Sequence, residues 1–245
     1  MEQIESVYPK KLRSEPATFA RWLSQANEIT RVFLDVGSIP GMINIAGGLP
    51  DPSTYPSEAI AEIAQTVVRE NPVQTIGYGP IEGVPELREH IAQKFSTGPL
   101  KLSDDNVLIT TSGMQGLDLI GKVLIDEGDL IAGQFPTYLG ALDAWRPRQP
   151  RYCNMVLDAD GFDPVVAMRG AKFAYVVPNF SNPTGRLVSQ KLRENLLEGA
   201  IETGAWLVED DPYGTLNYCK ELSTNIIEIS ANACPSLANS SRVVS

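Results

Sequence analysis

The chain has 245 residues, 43% of them hydrophobic, with 20 Gly and 18 Pro, which is enough for one large globular core. Lys plus Arg number 20 and Asp plus Glu 30; the formal net charge of −10 argues against nucleic acid or an anionic membrane as a partner. The three cysteines (Cys153, Cys219 and Cys234) match no metal spacing, and His90 is the single histidine, so a disulfide framework, a histidine triad and a His-rich zinc site all fall away.

No apolar run is long enough for a membrane-crossing helix, and Met1 to Lys11 lacks the apolar core of a secretory signal. With free thiols, the expected compartment is the reducing cytoplasm.

Residues 1 to about 27 read as a polar leader. Ala26 to Val36 has helical periodicity through Ile29, Val32, Phe33 and Val36, with Arg31 on the opposite side. By itself Arg31 is either a solvated helix charge or a ligand contact. Gly41 to Pro52 is an irregular loop in which Gly47 and Gly48 permit close backbone approach. Ser57 to Glu70 is an amphipathic helix with Ile60, Ile63, Ala64 and Val67 on one face. Gly77-Tyr78-Gly79-Pro80 is a turn, exposed at least in part. Val84 to Phe95 is a helix with Pro85 in its first turn, and it carries His90 in a structural role.

Val107 to Thr111 reads as a strand. Ser112-Gly113-Met114-Gln115 then turns directly into a helix, Gly116 to Ile125. A small-residue turn between strand and helix presents free N–H groups and the positive end of the helix dipole, a phosphate site on physical grounds. Asp129 to Gly133 is a strand with Pro136-Thr137-Tyr138 after it, followed by the helix Leu139 to Trp145, the strand Tyr152 to Val156 and a turn at Asp158 to Gly161.

The most informative stretch runs from Phe173 to Gly214. Phe173 to Val177 and Ala205 to Val208 are short apolar runs closed by turn residues, which are buried strands. Ser189 to Thr203 between them is helical, so the unit is βαβ and the strands are parallel neighbours. Their C-terminal ends sit side by side, at the edge where open α/β sheets bind ligands. Asn182 follows one end, and Asp210 to Tyr213 follow the other. An aromatic cofactor with a ring nitrogen and a ring hydroxyl would use all three side chains. A carboxylate keeps the nitrogen protonated and makes the ring an electron sink, while Asn and Tyr hold the ring oxygen. After Tyr213 the pattern weakens through Cys219 to Ser240, and Ser241-Arg242-Val243-Val244-Ser245 resembles the start of another buried strand.

Asn182-Pro183-Thr184-Gly185 followed by Asp210-Asp211-Pro212-Tyr213 resembles the signature of fold-type I aminotransferases, which use pyridoxal 5′-phosphate. Gly47-Gly48-Leu49-Pro50-Asp51-Pro52, Gly77 to Gly83, Thr110 to Gln115 and Pro136 to Gly140 are similar to the branch containing 2-aminoadipate and kynurenine aminotransferases. The likeness spans about residues 28–216, and several ordered motifs make it specific where one alone is weak.

It implies an α/β fold: a three-layer, mostly parallel sheet with helices on both faces, as the alternation of elements also suggests. Residues 1–50 would form an N-terminal arm and substrate-side loop, and 51–245 the cofactor domain. The resemblance implies that Asp210 holds the ring nitrogen and that Asn182 and Tyr213 hold the ring oxygen. Tyr138 stacks on the ring, and Gly113, Met114 and Gln115 hold the phosphate. Met114 stands where the resembled enzymes carry serine, which leaves the backbone contacts. Tyr78 would reach the cofactor of a second subunit, implying a homodimer. Arg31, Gly48 and Asn182 would meet the substrate.

The implied reaction moves an amino group between an amino acid and a 2-oxo acid. Its lysine, on a turn after the next strand, is expected beyond Ser245; Lys220 is the only lysine after Asp210 and sits in another context. An aminotransferase-like ligand-sensing module is the alternative. A nucleotide binder is disfavoured, because no phosphate-loop or dinucleotide glycine motif follows a strand.

Overall fold

The computed structural model describes residues 18–25, 39–41, 43, 48, 50–96, 98, 100–216 and 243–244, the last two as backbone. The helices are α1 (Ser57–Glu70), α2 (Pro72–Ile76), α3 (Pro85–Phe95), α4 (Gly113–Leu124), α5 (Leu139–Trp145), α6 (Pro164–Met168) and α7 (Gln190–Thr203). The strands are β1 (Leu130–Gln134), β2 (Arg151–Met155), β3 (Ala171–Val176), β4 (Trp206–Glu209) and β5 (Val243–Val244). They form one sheet in the order β2-β1-β3-β4-β5, with every neighbouring pair parallel.

The alternation along β3 builds the layers. Ala174 and Val176 point to one face, into a core with Met168 of α6 and Leu196, Leu197 and Ala200 of α7. Phe173, Tyr175 and Val177 point to the other, into a core with Leu117 of α4 and Ala141 and Trp145 of α5. Because successive strand side chains take opposite faces, a central strand buried on both sides must be apolar throughout. The β3–α7–β4 unit is parallel as expected, with Tyr175 beside Val208 and Val176 beside Glu209. Ser189 caps α7 by accepting from the Leu192 N–H at 3.3 Å, and Gly204 ends it in the left-handed region at φ 73°.

Two expectations change. Val107 to Thr111 is no strand: Ile109 N–H donates to Glu82 O, Leu108 is half exposed, and no ladder forms among the described residues. Its residues favour strand, but a strand needs a paired neighbour. Second, α4 begins at Gly113 rather than Gly116, so the glycine turn is itself the first helical turn, with Ser112 at the N-cap position. The helix α1 has the expected length and apolar stripe, but none of its residues is buried, and Ile60, Ile63 and Val67 face outward.

Two helices were not foreseen, α2 and α6, of five residues each. Both open with Asx-Pro, and Asp163 accepts from the Val165 and Val166 N–H groups. That cap signal was legible; the periodicity was too short to see. The 26–36 helix, Arg31, Gly47, Cys219, Lys220, Cys234 and the Cys219–Ser240 run lie outside the described residues.

Candidate active site

The C-terminal ends of β1, β3 and β4 carry the site. Asp210 follows β4, and its N–H donates to Val176 O at 2.9 Å, continuing the ladder one residue past the strand. Its carboxylate Oδ2 accepts from the Tyr175 hydroxyl at 2.6 Å. Burial pushes the Asp210 carboxyl up, and Asp211 adds to this; the Tyr175 hydrogen bond opposes both. Burial, reinforced by the Asp210 charge, drives the Tyr175 phenol far above its ordinary value, so it stays a donor.

Tyr138 stands close enough that Asp210 and Tyr213, after burial, raise its phenol as well. Tyr138 and Tyr213 both pack against the core cluster on the Tyr175 face of the sheet, near Asp210. Gly140 makes room for this placement, since a side chain there would collide with the Tyr138 ring.

Asn182 lies on the loop from β3 to α7, which is anchored from within. Val188 N–H donates to Pro178 O at 2.8 Å, and Ser181 N–H to Arg186 O at 2.9 Å, closing the loop on itself. Gln134 at the end of β1 donates from Nε2 to Ser181 Oγ (2.7 Å) and accepts on Oε1 from Val177 N–H (2.9 Å). Arg193 of α7, fully buried, reaches back under the loop. Its Nε donates to Val188 O at 3.0 Å and its Nη2 to Pro178 O at 3.1 Å and Asn179 Oδ1 at 2.7 Å. Nη1 faces the buried Glu209 carboxylate at 3.8 Å and makes no hydrogen bond to a described residue. Burial lowers the guanidinium's pKa, and the acidic neighbours Glu209 and Asp211 oppose that. With the backbone held in this way, the half-buried Asn182 side chain makes no hydrogen bond to a described residue.

At the other side of the site, the first N–H groups of α4, those of Gly113 and Met114, have no intrahelical acceptor by position. The Gln115 side chain turns back, its Oε1 accepting from Thr111 N–H at 2.6 Å, so this residue shapes the turn as well as lining it. Met114 Sδ accepts from the Tyr138 hydroxyl at 3.7 Å, linking the first turn of α4 to the segment before α5. The buried Thr137 Oγ1, beside Tyr138, has no partner among the described residues.

Two expected contributors stand apart. Tyr78 is fully exposed, and Gly48, at φ 57°, has open space around it; no described contact ties either to the sheet edge. Arg31 lies outside the described residues. His90 is exposed, consistent with a structural role.

Tyr175, Arg193, Glu209 and Gln134 were missed in the sequence. Each had a signal. Tyr175 is the one polar tip in the buried apolar run Phe173 to Val177, and such hydroxyls seek a partner. Arg193 precedes Leu196, Leu197 and Ala200 by three, four and seven positions, on the buried stripe of its own helix.

The family model for Aminotransferase class I and II matches residues 42–238. The chain is 36% identical to the 2-aminoadipate transaminase of Thermus thermophilus over 214 residues, covering 85% of this chain and 52% of that protein. Among solved structures, it resembles the α-aminoadipate aminotransferase of Thermus thermophilus complexed with N-(5′-phosphopyridoxyl)-L-leucine. The TM-score is 0.76 at 34% identity, over 88% of this chain and 54% of that one. The kynurenine aminotransferase of Pyrococcus horikoshii aligns with a TM-score of 0.77 at 32% identity, over 92% and 56%. Weaker matches, at 26 and 27% identity, are to uncharacterized HTH-type transcriptional regulators of Bacillus subtilis. The chain spans about half the length of the curated relatives it matches. With the motifs of the site in family order and the parallel sheet beneath them, the chain belongs to the class I and II aminotransferases.

Proposed function

We propose that this site holds pyridoxal 5′-phosphate and serves the transfer of an amino group between an amino acid and a 2-oxo acid. The observation that carries the reading is the Asp210 carboxylate, oriented by Tyr175 on Oδ2, at the parallel-sheet edge beside Tyr138 and Tyr213. The donor set fits the cofactor chemically. Asp210 Oδ1 is left for a ring N–H, and Asn182 and Tyr213 offer hydrogen bonds to a ring oxygen. The Tyr138 ring offers a flat face, and the Gly113 and Met114 N–H groups with Gln115 suit a phosphate at a helix N-terminus.

When bound, the cofactor supplies an electron sink for the electrons left when a substrate Cα loses its proton. The protein's part is electrostatic. Asp210 must be ionised to keep a proton on the ring nitrogen, and the Tyr175 hydrogen bond favours that form. Asn182, presented by the anchored loop, meets both the ring oxygen and a substrate carboxylate. Arg31 and Gly48 are assigned to the substrate, which by analogy with the relatives is 2-aminoadipate-like or aromatic.

Residues 1–50 are proposed as the arm and 51–245 as the cofactor domain. A homodimer is supported by the exposed Ile60, Ile63 and Val67 stripe of α1 and by the fully exposed Tyr78, an apolar surface that association would cover. Cys153 is a free thiol, in keeping with a cytoplasmic protein. No helix among the described residues is long and apolar enough to cross a membrane.

The test is titration of the purified chain with pyridoxal 5′-phosphate, followed by the absorbance of the bound cofactor with and without borohydride. Saturable binding abolished by Asp210→Asn is the expected result, and no binding overturns the reading. A band that borohydride fixes covalently identifies a lysine of this chain, most simply Lys220, as the covalent anchor. The regulator relatives motivate a second reading, a non-catalytic ligand-binding module. It predicts saturable cofactor binding with no amino-group exchange from any amino acid to a 2-oxo acid.

A further inference from the structure

Trp145 of α5 is completely buried, and its Nε1–H donates to Leu117 O, on the helix that begins at the phosphate-side turn, at 2.8 Å. Gly121 of α4 leaves the room that the indole fills: a Cβ there would lie 2.6 Å from Trp145 Cδ1. The indole meets Tyr175 edge to face, at 5.1 Å between ring centroids and 85° between planes, and meets Phe173 similarly at 5.0 Å and 74°. Tyr175 is thus held on its ring by a residue that is itself hydrogen-bonded to α4, and its hydroxyl ends 2.6 Å from Asp210 Oδ2.

We propose that Tyr175 is a positioning residue. Its phenol fixes the orientation and the ionised form of the Asp210 carboxylate, while Trp145 sets Tyr175 at a constant distance from the phosphate-side helix. The inference rests on the reading of Asp210 as the partner of a cofactor ring nitrogen.

A phenylalanine would fill the same space and keep both ring contacts, so packing alone does not ask for the hydroxyl. Asp210 does. The groups facing it are Tyr175 from β3, Tyr138 from the loop before α5, and Asp211 and Tyr213 from its own segment. Burial and Asp211 both favour the neutral acid, and a neutral acid cannot hold a proton on a ring nitrogen by charge. The Tyr175 hydrogen bond favours the carboxylate. It also occupies Oδ2, which directs Oδ1 toward the ligand.

The variant is Tyr175→Phe. The probes are pyridoxamine 5′-phosphate, which has no aldehyde to react with surface lysines, and its analogue with CH in place of the ring nitrogen. Wild type should prefer the nitrogen-containing probe, and Tyr175→Phe should reduce that preference about tenfold, the weight of one charge-assisted hydrogen bond. The carbon analogue, held by its phosphate and ring face, should bind both proteins equally. Equal weakening of both probes would mark a merely structural role and overturn the proposal, as would an unchanged preference.

Failure of wild type to bind either probe overturns the cofactor reading itself. Carboxyl-labelled aspartate NMR of the ligand-free chain then decides separately, with the Asp210 signal assigned by its loss in Asp210→Asn. Its midpoint should move to higher pH in Tyr175→Phe, and an unmoved midpoint refutes the role of Tyr175.

Discussion

Arg193→Met removes a guanidinium that is completely buried and holds four groups at once. The methionine stem fills much of the same volume, so the cost is polar. Pro178 O, Val188 O and Asn179 Oδ1 each lose a donor, and the buried Glu209 carboxylate loses the cation facing it at 3.8 Å. Breaking a buried pair from one side costs about 3–5 kcal/mol, a large part of the roughly 5–15 kcal/mol that holds a domain together. For a chain of this size that is a fall in melting temperature of roughly 10 °C.

The assay is urea unfolding followed by tryptophan fluorescence, reported by the buried Trp145. The partner variant Glu209→Gln and the double variant complete a cycle. The double variant should be more stable than the sum of the single losses by about 1–3 kcal/mol, because neither charge is then left alone. A coupling near zero would refute the view that the two charges are held for each other. An Arg193→Met loss of under about 1 kcal/mol would refute the burial argument altogether.

Gly199→Ala should cost about 1–3 kcal/mol in the same assay, because the new Cβ would lie 2.7 Å from Pro164 Cβ and 3.1 Å from Pro164 C, forcing α6 and α7 apart. Asp210→Asn should make the ligand-free chain more stable at neutral pH while abolishing cofactor binding. The folded carboxyl titrates above its ordinary value of 3.8, so its contribution is favourable below that value and is lost as pH rises through the folded one. The advantage of the asparagine should therefore grow with pH and vanish under acid, and melting curves across pH that keep a constant difference would contradict the assignment. Ile63→Glu, on the exposed stripe of α1, should shift the sedimentation of the chain from dimer to monomer.

Much of the site was legible because its parts are local. The βαβ unit, the Asn182 loop and the Asp210 to Tyr213 segment follow from apolar runs, turn residues and helix caps that each operate within a few positions. The short helix α6 went unforeseen although its cap, Asp163-Pro164, is a local signal of the same kind. What failed in the sequence failed for one reason. Val107 to Thr111 has strand composition but pairs in no ladder among the described residues, because a strand is defined by its neighbour and not by its own residues. The stripe of α1 is there but none of it is buried among the described residues, because periodicity gives the stripe without saying what lies opposite it.

The sequence alone determined which residue types reach the C-terminal edge of the sheet and in what order along the chain. Only the tertiary structure decided how they are held there. Placing β3 between β1 and β4 sets Gln134 against Ser181, 47 residues away, and Tyr175 against Asp210, 35 residues away. Arg193 meets Glu209 only because α7 packs beneath the loop that leads into it. These contacts depend on strand order and register, which are properties of pairing between distant segments. No local preference of a side chain contains them.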